Sequence, residues 1–170
     1  QQIADRNGGK YREDGLLDAQ PTDFGIGVSG YPEKHFQAPN MEADLRNTKA
    51  KIDAGGEYIV TQMFFDNRHY FDYVDQCRAR GIDVPIIPGL KVLVGKKQLR
   101  TLPEMFHCEI PVELADEVEA ATKREQVIEI GASWAARQVE ELLDRGAPSI
   151  HFYVMLNAKA VQRVMEKLDL

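Results

Sequence analysis

The chain has 170 residues, 44% of them hydrophobic and 28% charged, the balance of one globular domain with a core of its own. Its formal net charge of −6 argues against a general nucleic-acid binder. No apolar run approaches the length of a membrane span, and no secretory signal pattern is present. The two cysteines, Cys77 and Cys108, form no metal or redox motif and read as free thiols of a cytoplasmic protein. The chain begins Gln1-Gln2 with no initiator methionine, which suits a processed product or a piece of something longer.

Residues 1–22 carry Asn7-Gly8-Gly9, scattered charge and little periodicity. They read as a connecting segment, with the tail of a helix near Gln1–Arg6. Residues 23–170 are expected to form a single domain. A short strand, Phe24–Ser29, contains glycines that suggest close approach by a neighbouring backbone or a ligand. A loop with Tyr31, Pro32, His35 and Pro39 leads to a helix over Met41–Ala54, whose inner face is Met41, Leu45, Thr48 and Ile52. Gly55 is its stop.

Tyr58–Phe65 is an apolar, aromatic and β-branched run, the pattern of a buried strand. Alternation puts Val60, Gln62 and Phe64 on one face and Ile59, Thr61, Met63 and Phe65 on the other. Gln62 by itself reads first as an amide hydrogen-bonded within the core. A helix over Asn67–Arg80 follows, capped by Asp66 or Asn67, with Tyr70, Val74 and Cys77 inward and Gly81 as its stop. Val84–Ile87 is a short strand ending at Pro88-Gly89. Short helices are expected over Lys96–Leu102 and Pro111–Ala121. The longest helix, Arg124–Arg145, presents Ile128, Gly131, Ala132, Ala135, Val139 and Leu142 on one face and stops at Gly146. Ser149–Met155 is the fourth strand, and Ala158–Leu168 a last helix with Val161, Val164 and Leu168 inward.

Strand and helix thus alternate four times, which demands parallel strands with helical crossovers. No dinucleotide fingerprint and no P-loop opens any helix, so a barrel is favoured over a doubly wound sheet. A (β/α)8 barrel typically takes about 250 residues and eight units, twice the number of units present here.

Asp44, Asn47 and Lys51 lie on one stripe of the Met41–Ala54 helix. An acceptor, an amide and a cation together suit ribose hydroxyls and phosphate, with Tyr31 and His35 offering a flat surface and a donor from the preceding loop. Taken alone, the stripe reads first as a solvated helix face, because such stripes are common. His69 is expected on an exposed helix face, His107 in a connection, and His151 as a hydrogen-bonded core histidine. No spacing among the histidines suggests a metal site. Glu109 and Glu113–Glu119 read as helix-start and surface charge. Lys96, Lys97 and Gln98 follow the third strand on the ligand side, with solvated surface as the default reading.

Several of these segments together resemble the methylenetetrahydrofolate reductase family. They are Gly27-Val28-Ser29-Gly30-Tyr31-Pro32-Glu33-Lys34-His35, Ala43-Asp44-Leu45-Arg46-Asn47, Lys49-Ala50-Lys51-Ile52-Asp53-Ala54-Gly55, Ile59-Val60-Thr61-Gln62-Met63-Phe64-Phe65-Asp66, Ile86-Ile87-Pro88-Gly89-Leu90 and His151-Phe152-Tyr153. The resemblance implies an α/β fold of (β/α)8 TIM-barrel type, of which this chain supplies about four carboxyl-terminal units. It implies FAD at the carboxyl ends of the strands, with Tyr31, His35, Asp44, Asn47 and Lys51 as flavin contacts and Gln62 and Gln98 as folate contacts. It also implies reduction of 5,10-methylenetetrahydrofolate to 5-methyltetrahydrofolate by NADH or NADPH, with no nucleic-acid or membrane partner.

The family's catalytic acid lies on an early strand upstream of this chain. The segment after His-Phe-Tyr has no arginine where the family often has one. Leu102 and Ala50 stand where the family can place an aromatic and a basic residue. Four strands leave two unpaired edges, so the expectation is pairing with the missing half-barrel or with a second copy. The alternative is a non-catalytic flavin-binding or structural half-barrel.

Overall fold

The structure, a computed structural model, describes residues 2–11, 20–154 and 158–169. Helix α1 covers Gln2–Asn7. Asn7 ties it to the start of the domain: its Oδ1 accepts from Thr22 Oγ1 at 2.6 Å and from the Phe24 N–H at 3.1 Å. The order then runs β1 (Gly27–Gly30), α2 (Met41–Asp53), β2 (Tyr58–Met63), α3 (Asn67–Arg78), β3 (Ile86–Leu90), α4 (Gln98–Phe106), α5 (Val112–Ala120), α6 (Arg124–Asp144), β4 (His151–Phe152) and α7 (Lys159–Lys167).

The four strands form one parallel sheet in the order β1-β2-β3-β4. Unbroken sequential order is the arrangement of a barrel wall, and right-handed crossovers then put the helices on one face. The main core follows from this. Ile59, Ile86 and Leu90 of the sheet pack with Leu45 of α2, Tyr73 and Cys77 of α3, Ala132, Ala135 and Leu142 of α6, and Val164 of α7. A second core joins Met63, Phe65 and Leu93 to Leu102 of α4, Leu114 and Val118 of α5, and Val127 of α6.

The helix stops are where glycine allows a left-handed turn. Gly55, Gly81 and Gly146 have φ of 106°, 67° and 86°. Asn40 caps α2 by accepting from the Ala43 N–H at 2.9 Å, and Asp66 caps α3 by accepting from the Arg68 N–H at 2.9 Å. Helix α4 runs four residues past the expected Leu102, with Pro103 inside it, and ends where His107 takes φ 54°.

The strand expectations need correction: β1 starts at Gly27 and not at Phe24, and β2 ends at Met63 and not at Phe65. The register of β2 against β3 shifts between Val60 and Met63. Burial still alternates from Tyr58 to Met63, but Phe64 lies past the end of β2 and joins Ile59 in the main core instead of following Val60 and Gln62. Strand β3 extends through Pro88 and Gly89 to Leu90, beyond the expected turn. Strand β4 is only two residues, and His151 is exposed on it rather than buried. Only β3 pairs with β4 among the described residues. Of the expected span, Met155 lies outside the described residues.

The sheet face away from the helices carries Tyr58, Val60 and Ile87, all half-buried. The large apolar side chains most exposed lie elsewhere, at Phe24, Phe36, Met105 and Val112. Among the described residues no helix is long and apolar enough to cross a membrane.

Candidate functional site

The loop after β1 is held from beneath by Asp44. This residue is 4% exposed, and its Oδ2 accepts the His35 N–H at 2.8 Å. A carboxylate in the first turn of a helix is favoured there by the unpaired N–H groups of that turn. Lys34 takes φ 74° and donates from Nζ to the His35 and Ala38 carbonyls at 2.9 and 2.8 Å. The Tyr31 and His35 rings then meet edge to face at 4.5 Å.

Lys51 reaches back to β1, where its Nζ donates to the Ser29 carbonyl at 3.0 Å and stands 6.0 Å from the Tyr31 ring centre. The structure thus gathers Tyr31, His35, Asp44 and Lys51 around the end of β1. Asn47 is exposed, with no hydrogen-bond partner among the described residues. The stripe is graded, not uniformly solvated: Asp44 is buried and committed to the loop, while Lys51 and Asn47 face outward.

Gln62 and Gln98 share a feature that their positions in the sequence do not show. The Gln62 Oε1 accepts the Met63 N–H at 2.9 Å, and the Gln98 Oε1 accepts the Val94 N–H at 2.7 Å. Each carbonyl oxygen is engaged, while neither amide nitrogen has a partner among the described residues. Each therefore presents N–H donors rather than a mixed edge. Gln62 is half-buried and bonds only its neighbour's backbone, so the core-amide reading does not hold.

Lys91 escaped sequence reasoning. It follows Leu90 at the end of β3, and its Nζ donates to the Tyr153 carbonyl at 3.1 Å. Desolvation pushes its pKa down, and no carboxylate pairs with it among the described residues. The only signal for it was a lysine directly after the Pro-Gly-Leu end of a buried strand.

A second cluster also went unforeseen. Glu33 on the β1–α2 loop, His69 in α3 and Glu109 before α5 bring ligand-type atoms within 4.8 Å of one another. His69 is half-buried here, not on an open helix face. No sequence spacing reveals the group, because each member comes from a different segment.

Comparison with known proteins places the chain in a family. The family model described as methylenetetrahydrofolate reductase matches residues 15–169. A probable methylenetetrahydrofolate reductase (NADPH) of Caenorhabditis elegans is 36% identical over 149 residues, 86% of this chain and 22% of that protein. The 5,10-methylenetetrahydrofolate reductase of Escherichia coli is 36% identical over 138 residues, 81% of this chain and 47% of that protein. The chain therefore spans about half the length of the bacterial relative and about a quarter of the nematode one. An uncharacterized Clostridium thermocellum protein that binds two copies of 5-methyl-5,6,7,8-tetrahydrofolic acid has a similar fold. It has a TM-score of 0.57 and 18% identity, over 85% of this chain and 52% of that one.

Proposed function

Because the chain belongs to the methylenetetrahydrofolate reductase family, we propose that it supplies part of the flavin and folate site of an enzyme reducing 5,10-methylenetetrahydrofolate to 5-methyltetrahydrofolate. Reduced nicotinamide is the electron source in this reading. The observation that carries it is the convergence of Tyr31, His35, Asp44 and Lys51 at the end of one parallel strand. Brought together there, Tyr31, His35 and Lys51, with their loop held by Asp44, offer a ring surface, an imidazole and a cation that suit a flavin dinucleotide.

Lys51 offers a cation for a pyrophosphate, Asn47 an exposed amide for ribose hydroxyls, and Tyr31 a ring surface. Asp44 acts by holding the loop, since its carboxylate is turned to the His35 N–H. FAD, when bound, supplies hydride relay between nicotinamide and folate. Gln62 and Gln98 donate N–H groups to acceptor atoms of the folate and so fix its orientation. Lys91, a cation at the end of β3 that no carboxylate pairs among the described residues, suits an anionic part of the substrate.

The test is titration of the purified chain with FAD, followed by Trp134 fluorescence and flavin absorbance. Saturable binding that Lys51→Ala weakens by at least about tenfold, roughly 1.4 kcal/mol, supports the reading. A second titration with 5-methyltetrahydrofolate should be weakened in Gln62→Leu. Absence of saturable binding by both ligands would overturn the assignment for this chain by itself.

A further inference from the structure

We propose that Glu33, His69 and Glu109 form a binding site for a divalent transition-metal ion of the zinc type. One imidazole nitrogen and two carboxylate oxygens, mutually within 4.8 Å, are a ligand set that favours zinc or manganese over magnesium. The His69 Nε2 already stands 4.0 Å from the Glu109 Oε2. Ligand bonds of about 2.0–2.2 Å ask the three atoms to close further. Glu109 is the exposed member, with a side chain free to swing inward.

Two observations separate this group from ordinary surface acids. The first concerns Glu33. Its Oε2 accepts the Glu109 backbone N–H at 2.6 Å, which locks the carboxylate in place. Its Oε1 is closed off from solvent and has no hydrogen-bond partner among the described residues. A shielded carboxylate oxygen without a donor is costly, and a metal ion would meet that need.

The second observation is that, among the described residues, no lysine or arginine forms an ion pair with either carboxylate, which leaves the His69 imidazole as their shared neighbour. Arg68 nearby is committed to Asp66, and Lys34 to two carbonyls. A groove of about 450 Å³ lined by His69, Glu109, Asp66, Asp72 and the Asp66-bound Arg68 opens beside the cluster. It gives a route in and room for the water that completes a three-ligand site. Bound metal would join the β1–α2 loop, α3 and the segment before α5, and so brace the loop that carries Tyr31 and His35.

The experiment is metal titration of the chelator-stripped protein with Zn²⁺, by calorimetry, and with Co²⁺, by visible absorbance. One equivalent of Zn²⁺ should bind, and Co²⁺ should give ligand-field bands of low coordination number. His69→Ala and Glu33→Gln should each weaken binding by more than about tenfold, the loss that even a supporting residue of a metal site causes. His69→Cys should keep Zn²⁺ and add a thiolate-to-Co²⁺ charge-transfer band, a signature that a general folding defect cannot produce. No stoichiometric binding, or equal affinity in wild type and His69→Ala, would overturn the proposal.

Discussion

Tyr153 donates its hydroxyl to the carbonyl of Thr61 at 2.8 Å, reaching from the end of β4 across β3 to β2. The bond exists because the β2–β3 ladder is irregular there. The Gly89 N–H goes to the Thr61 side-chain oxygen at 2.9 Å, and the Thr61 carbonyl turns to the tyrosine. Gly89 lies directly under this bridge. A Cβ on it would sit 2.2 Å from the Thr61 carbonyl oxygen and 2.6 Å from the Tyr153 ring. Tyr153→Phe should therefore cost about 1–3 kcal/mol, the penalty of a shielded carbonyl left unpaired. Gly89→Ala should cost at least as much as the upper end of the roughly 1–3 kcal/mol usual for overpacking. Urea unfolding of both variants checks this; wild-type stability in Gly89→Ala would refute the close approach.

Asp44 and Lys51 lie on one helix stripe but should fail in different ways. Removing the Asp44 carboxylate leaves the His35 N–H without its acceptor, at about 1.5–3 kcal/mol for a hydrogen bond to a charged group. Asp44→Ala should lose stability and flavin binding together. Lys51→Ala removes only an exposed contact to the Ser29 carbonyl, so stability should stay within about 0.5 kcal/mol while flavin binding weakens. Parallel denaturation curves and FAD titrations separate the two.

Lys91 should trade stability against binding. Its lowered pKa means the folded state holds its proton less tightly than the unfolded chain does. Stability contributed by this group therefore rises with pH through its lowered folded pKa, up to the ordinary lysine value near 10.4. Lys91→Met should melt at or above the wild-type temperature at pH 7 and lose that pH dependence, while binding 5-methyltetrahydrofolate less well. Thermal melts at pH 7 and pH 10 decide it.

The cysteines should be silent in the native protein. Both are buried and unpaired in any disulfide. Burial, helped by the nearby Glu33 charge, pushes the Cys108 thiol up to about 12, and burial raises Cys77 as well. A thiol reagent at pH 8 should find neither until the chain unfolds, and then both. The folded pKa lies above the unfolded one near 8.5, so this stabilisation is full below pH 8.5 and is lost as pH rises through the folded value. Cys108→Ala should flatten the fall in stability between pH 9 and 11.

The alternation of strands and helices, the apolar faces of α2, α3, α6 and α7, and the glycine stops were all legible in the linear sequence. Each is a local matter of periodicity and backbone freedom, decided by residues within a few positions of one another. That alternation dictates parallel strands, whereas their unbroken sequential order is a finding of the structure. The family resemblance singled out the residues around the end of β1, but not that Asp44 is spent on the His35 N–H.

Tertiary structure alone decided the rest. The packing of Phe64 into the core, the Tyr153–Thr61 bridge, and the meeting of Glu33, His69 and Glu109 are all contacts fixed in space. Side chains distant in sequence become neighbours only once strand register and helix packing are set. No local pattern carries that information, because the energy of such contacts depends on distance and burial in the folded chain.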